Sequence, residues 1–168
     1  NAQGTQAINN VRNNYQYKTG IGINGEQALT KDLGIYGRAF TSDGHTETMS
    51  FTEADNSISV GMGMNGTRWS RPSDSIGVSV MQNGLSSFRR AYLQAGGISY
   101  FIGDTPSPYA GPGQTINYRP ERIGEIYYNA LLVKNVLLGV NFQHINNPAY
   151  NAARGPVYIA SFRIHAEF

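Results

Sequence analysis

Apolar and polar residues alternate with period two along much of the chain, the spacing that sends successive side chains of a β-strand to opposite faces. In the last segment Tyr158, Ala160, Phe162, Ile164, Ala166 and Phe168 share one parity, and Ser161, Arg163, His165 and Glu167 share the other. The same alternation sets Ile58, Val60, Met62 and Met64 against Ser57, Ser59, Gly61, Gly63 and Asn65. It also sets Ile126, Tyr128, Ala130 and Leu132 against Glu125, Tyr127 and Asn129. Tyr15 to Asn24, Leu33 to Thr41, Ile76 to Asn83 and Leu137 to Ile145 complete a set of seven expected strands. Between them, Asn24-Gly25, Asp43-Gly44, Asn65-Gly66 and Asn83-Gly84 tolerate positive φ and favour tight turns or bulges. A short helix is expected only over Leu85 to Ala95, within a long connection from Gly84 to Arg122 that also carries Pro106, Pro108, Pro112 and Pro120.

The links between these strands alternate in length. Counting back from Phe168 they run long (Asn146 to Pro156), short (Val133 to Val136), long (Gly84 to Glu121), shorter (Gly66 to Asp74), long (Ser42 to Asn56) and short (Gly25 to Asp32). Outer-membrane barrels have short periplasmic turns and longer external loops, whereas a secreted sandwich or jelly roll has no reason to sort its loops by parity. The pattern therefore favours an all-β, antiparallel transmembrane barrel. In such a barrel the apolar parity faces lipid and the polar parity faces the lumen.

Composition narrows the chemistry. The chain has 168 residues, enough for one domain, with 13 Lys+Arg against 11 Asp+Glu and a net charge of +2, too balanced for a nucleic-acid footprint. It has no Cys, which removes disulfides, cysteine-based zinc sites and thiol catalysis. No apolar run reaches the ~18 residues of a membrane-spanning helix. The polar start from Asn1 to Asn14, without an initiator Met, reads as a processed or internal beginning, placed by the loop pattern at an external loop.

Two stretches, Gly20 to Gly25 and Gly61 to Gly66, fit G-x-G-x-x-G. That fingerprint needs a strand-to-helix turn, and here the glycines alternate with apolar residues inside strands, so small inward-facing residues explain them better. His45, His144 and His165 lie in different elements with no ligand spacing, so no metal or cofactor is expected and each reads as a polar wall or loop residue. G-x-S-x-G is absent and no enzyme is expected. Trp69-Ser70-Arg71-Pro72-Ser73-Asp74 offers either an Arg71–Asp74 pair that holds a turn or a saccharide contact; a periplasmic turn favours the pair. Tyr36, Arg38 and Phe40 share one parity, as do Glu121, Glu125, Tyr127 and Asn129, and in a barrel that polar face is the pore.

Read in order, Asp32 to Ala39, Trp69 to Gly77, Glu121 to Glu125 with Tyr127-Tyr128, Gln143 to Asn151, Arg154-Gly155-Pro156 and Arg163 to Phe168 resemble the OprB-type carbohydrate-selective porins of Gram-negative outer membranes. The resemblance implies a sixteen-stranded antiparallel barrel that passes monosaccharides through a narrowed, charged pore. Family members are more than twice as long, so residues 1–168 correspond to the C-terminal part. Seven strands leave open edges whose N–H and C=O groups cannot face hydrocarbon, so the remaining barrel strands are expected as a partner.

The expected function is passive diffusion of small sugars. Arg38, Tyr36, Glu121, Glu125, Tyr127 and Arg163 are the candidate pore-lining residues, and outer-membrane lipid surrounds the barrel. Terminal Phe168 resembles the assembly signal read by the outer-membrane insertion machinery. The alternative is a non-conducting structural or assembly barrel, a homo-oligomer or part of a larger envelope complex, with the Gly84 to Glu121 connection as plug or docking surface.

Overall fold

A computed structural model describes residues 15, 17–46, 54–94 and 117–167. Seven strands form one sheet in the order β1-β2-β3-β4-β5-β6-β7, each antiparallel to its sequence neighbour: β1 Gly20–Ala28, β2 Leu33–Ser42, β3 Asn56–Gly66, β4 Arg71–Gly84, β5 Glu121–Val133, β6 Val136–Asn146 and β7 Val157–Ala166. The helix α1 spans Ser87–Gln94, inside the stretch where the sequence placed it. The described sheet does not close on itself: β1 and β7 are its two edges. No described helix is long and apolar enough to cross a membrane.

Register settles the faces, because directly paired residues point the same way. Ile35, Met62, Val78, Ile126, Phe142 and Ala160 form one continuous row through successive pairs. Ala39 and Ile58 share that face, as do Val140 with Phe162 and Leu138 with Ile164. Their side chains are extensively exposed: Phe162 is 65% and Ile164 63% accessible, values that a water-soluble sheet avoids and a lipid-facing wall requires. The opposite face carries Arg38, Ser59, Ser79, Glu125, Asn141, Ser161 and Arg163. The parity expected for β7, with Phe162 and Ile164 on the apolar side and Arg163 and His165 on the other, is the parity observed. His144 differs from expectation. It pairs with Tyr158 on the apolar face and stacks on its ring, with centroids 4.9 Å apart.

Loop asymmetry is also present. Residues 29–32, 67–70 and 134–135 close the hairpins at one end of the sheet, while 43–55, 85–120 and 147–156 connect strands at the other. The first strand departs from the sequence reading at both ends, beginning at Gly20 rather than Tyr15 and running past Asn24 to Ala28. Asn24 and Gly25 do not turn but pair in mid-strand with Arg38 and Gly37. The reversal lies at residues 29–32, where the Leu29 N–H donates to the Leu33 carbonyl (2.9 Å) and Thr30 Oγ1 accepts from the Asp32 and Leu33 amides. A Thr hydroxyl that organises its own turn competes successfully with the Asn-Gly signal.

The buried core lies outside the sheet plane, among the long loops. Leu85, Leu93 and Tyr150 are buried together, with Tyr92, Tyr118 and Ala149 packed against them. Asp55 is fully buried and Arg89 of α1 nearly so; Arg89 Nε donates to both Asp55 carboxylate oxygens at 3.2 Å, and Asp55 also accepts from the Ser86 amide at 2.8 Å. Arg89 further donates to the Thr46 carbonyl, so the 43–55 and 85–120 connections are tied at one point.

Candidate functional site

The polar face is built on a tyrosine–glycine arrangement. Tyr36 pairs with Gly61 and its ring lies over it, so closely that a Cβ added to Gly61 would sit 2.5 Å from the ring edge. Tyr127 pairs with Gly77 and covers it in the same manner, its hydroxyl reaching toward Gly63. Glycine lets an aromatic ring settle flat on the sheet, and the two rings converge from β2 and β5 onto β3 and β4. The G-x-G pattern at Gly61 and Gly63 is thus a seat for tyrosines, consistent with the small inward residues expected there. A shallow hollow between the rings is bordered by Glu26, Tyr36, Gly63, Ser79 and Tyr127.

Charged groups flank these rings. Arg38 lies two residues from Tyr36 on the same face, with its guanidinium carbon 5.7 Å from the ring centroid. Glu125 shares a paired row with Ser79, Gly61 and Tyr36, three strands away, or about 14 Å along the sheet at the usual strand spacing. The Glu125 carboxylate accepts from the Asn141 side-chain amide, which fixes its orientation toward the polar face. Arginine supplies donors and the carboxylate supplies acceptors, so this wall can exchange hydrogen bonds with hydroxyl groups while the tyrosine rings offer a flat apolar surface.

The six expected pore residues do not form one cluster. Tyr36, Arg38, Glu125 and Tyr127 occupy neighbouring rows across β2 to β5. Glu121 lies on the same face at the long-loop end, where it accepts from the Ala149 amide (3.0 Å) and the Asn83 side chain (3.4 Å), and so anchors the 147–156 loop over the polar face. Arg163 pairs with Gly139 on β7, about 20 Å further along the strand direction than the row of Arg38. Phe168 lies outside the described residues, as do Asn1 to Asn14, Pro106, Pro108 and Pro112.

The Trp69 to Asp74 segment is a structural joint. Trp69 Nε1 donates to the Tyr128 hydroxyl at 3.1 Å, and that hydroxyl donates to Asp74. Arg71 pairs with the same carboxylate and reaches the Leu131 carbonyl at 3.0 Å, while the Leu131 amide donates to Asp74 at 3.0 Å. Asp74 is 2% exposed, so its hydrogen-bonding capacity is directed into the β4–β5 joint. The sequence reading did not single out Asp55 and Arg89, whose pairing joins elements distant in sequence, nor Asn141 and Ser79, which carry no motif. Strand parity alone is the signal for the last two.

The whole chain, residues 1–168, matches the model of the carbohydrate-selective porin, OprB family. The chain belongs to the OprB family. A solved structure described as the high pH structure of Pseudomonas putida OprB superposes with a TM-score of 0.69 at 21% identity, over 90% of this chain and 36% of that one. The chain therefore spans about a third of that porin, and its unclosed seven-stranded sheet corresponds to part of a larger OprB-like barrel. A comparison with curated proteins finds no match. OprB family proteins are non-catalytic porins of the Gram-negative outer membrane.

Proposed function

We propose that these seven strands form the C-terminal part of a sixteen-stranded barrel that lets small sugars, monosaccharides in particular, diffuse passively across the outer membrane. The observation that carries this reading is the polar face itself: Tyr36 and Tyr127 laid flat on glycines, with Arg38 and Glu125 beside them, on a sheet whose other face is apolar. Sugars have hydroxyl edges and C–H faces, and this wall offers a counterpart to each. Binding of this kind is weak enough for release, as conduction demands. The remaining strands of the barrel, outer-membrane lipid and the insertion machinery are its partners, with Arg163 a wall charge further along the same lumen.

Planar-bilayer recording of the complete barrel tests the proposal: open channels whose ion current falls on adding monosaccharide are the expected result. Closed, silent barrels would favour a structural or assembly role, with the long-loop cluster as the plug. Phe168 is assigned the assembly signal. Its deletion should lower membrane-inserted protein in cells far more than refolding into detergent, and equal losses would leave it an interface anchor only.

A further inference from the structure

On β4 to β6 the apolar face ends at the long-loop side in a polar row, with Gln82, Arg122 and Asn146 in paired positions. Arg122 is the one cation of that row, and the row holds no carboxylate. Its Nε donates to Gln82 Oε1 at 2.9 Å, which fixes the plane of the guanidinium, and its two Nη groups make no hydrogen bond among the described residues. The next row below contains Gly124, His144 and Tyr158. A Cβ at Gly124 would meet nothing within 4 Å, so an open notch lies directly below Arg122, walled on one side by the stacked His144 and Tyr158 rings. Below the notch the face is apolar again, with Ile126, Phe142 and Ala160.

This order, a cation fork above an open notch above an apolar wall, matches the order of groups in a phosphorylated lipid standing in a leaflet: phosphate, backbone, acyl chains. We propose that Arg122, Gly124, His144 and Tyr158 form a binding site on the outside of the barrel for the phosphorylated headgroup of an outer-leaflet lipid. A guanidinium presents paired N–H donors that suit phosphate oxygens, and near hydrocarbon such a pair is little screened by water or salt. Aromatic rings at the membrane interface sit at the depth where headgroup meets acyl chain. The site lies on the face opposite the proposed pore and does not depend on what the pore conducts.

Native mass spectrometry of the complete barrel in detergent tests the site, with diphosphorylated lipid A as probe and its dephosphorylated form and inorganic phosphate as controls. The wild type should retain the phosphorylated lipid. Arg122→Ala, and Gly124→Leu, which fills the notch while leaving Arg122 in place, should each lower retention about tenfold, with channel conductance unchanged. Equal retention by Arg122→Ala and wild type would overturn the site, as would equal retention of the dephosphorylated lipid. Displacement of the lipid by inorganic phosphate at equal concentration would also overturn it, because the ligand would then be a free anion. If Arg122→Ala does not fold, Gly124→Leu decides alone, and retention equal to wild type rejects the proposal.

Discussion

At the scale of single residues, the polar face is defined by which side chains have their hydrogen-bonding capacity already used. Glu121 is engaged by Ala149 and Asn83, and Asp74 by Arg71, Tyr128 and Leu131, so in the proposed pore a permeating solute would meet Arg38 rather than either carboxylate. Arg38→Ala should therefore raise the sugar concentration for half-block of ion current several-fold, the loss of a hydrogen bond worth about 1 kcal/mol. It should also shift ion selectivity toward cations, because a positive charge leaves a lumen of low effective dielectric. Glu125→Ala should weaken block similarly and shift selectivity the opposite way. Reversal potentials in a salt gradient and sugar titrations on the same channels read both effects; unchanged values in both variants would reduce these residues to ordinary wall charges.

At the scale of elements, α1 is held by tertiary contacts rather than by helix propensity. Eight residues are too few for an independent helix in water, so its stability derives from Leu93 in the loop core and Arg89 on Asp55. Asp55→Ala removes the buried carboxylate that accepts from Arg89 Nε and the Ser86 amide, and should cost about 3 to 5 kcal/mol locally, seen as faster amide exchange in residues 85–94 with the strands still protected. Pairing it with Arg89→Met should restore much of that protection, since the buried charge is then gone. A second link, at the foot of the same loops, is pH-dependent. Asp43 accepts from the Thr19 hydroxyl and amide, both at 2.7 Å, and from the His45 amide. These bonds favour the ionised form and lower its pKa from 3.8 to about 2. A depressed carboxylate pKa stabilises the folded link above the unfolded value and loses that contribution as pH falls, so the Thr19–Asp43 link should loosen between about pH 4 and pH 2. Asp43→Asn should flatten that dependence in amide exchange at Thr19.

At the scale of the molecule, the sheet separates two solvents. The apolar face, with Phe162 and Ile164 in register with Val140 and Leu138, has the composition of a wall against lipid, and the other face that of a wall against water. Phe162→Arg should cost about 2 to 4 kcal/mol if the site is near the midplane, measured as a shift in denaturant-induced unfolding of the barrel in lipid vesicles. The same substitution at Ser161, whose side chain points to the opposite face, should cost far less. The open edges at β1 and β7 carry a requirement of their own: their backbone groups must be paired before the sheet can sit in hydrocarbon. Seven strands are thus a fragment of a closed wall, in agreement with a match that covers 36% of the solved porin.

Period-two alternation by itself determined the strand count, the two faces and the orientation of β7, because strand geometry converts parity into facing without reference to any neighbour. Loop lengths determined the two ends of the sheet, and the ordered series from Asp32-Leu33-Gly34 to Arg163-Ile164-His165 carried the family. Tertiary structure alone decided what depends on a partner strand or loop. It moved the first turn from Asn24-Gly25 to Thr30, since cross-strand pairing with Arg38 and Gly37 outweighs a local turn preference. It placed His144 on the apolar face against Tyr158, turned Glu121 toward a loop, and brought Asp55 to Arg89. It also gave Gly61 and Gly77 their role, because a glycine's use in a sheet is set by the ring that pairs with it, and that ring lies on another strand.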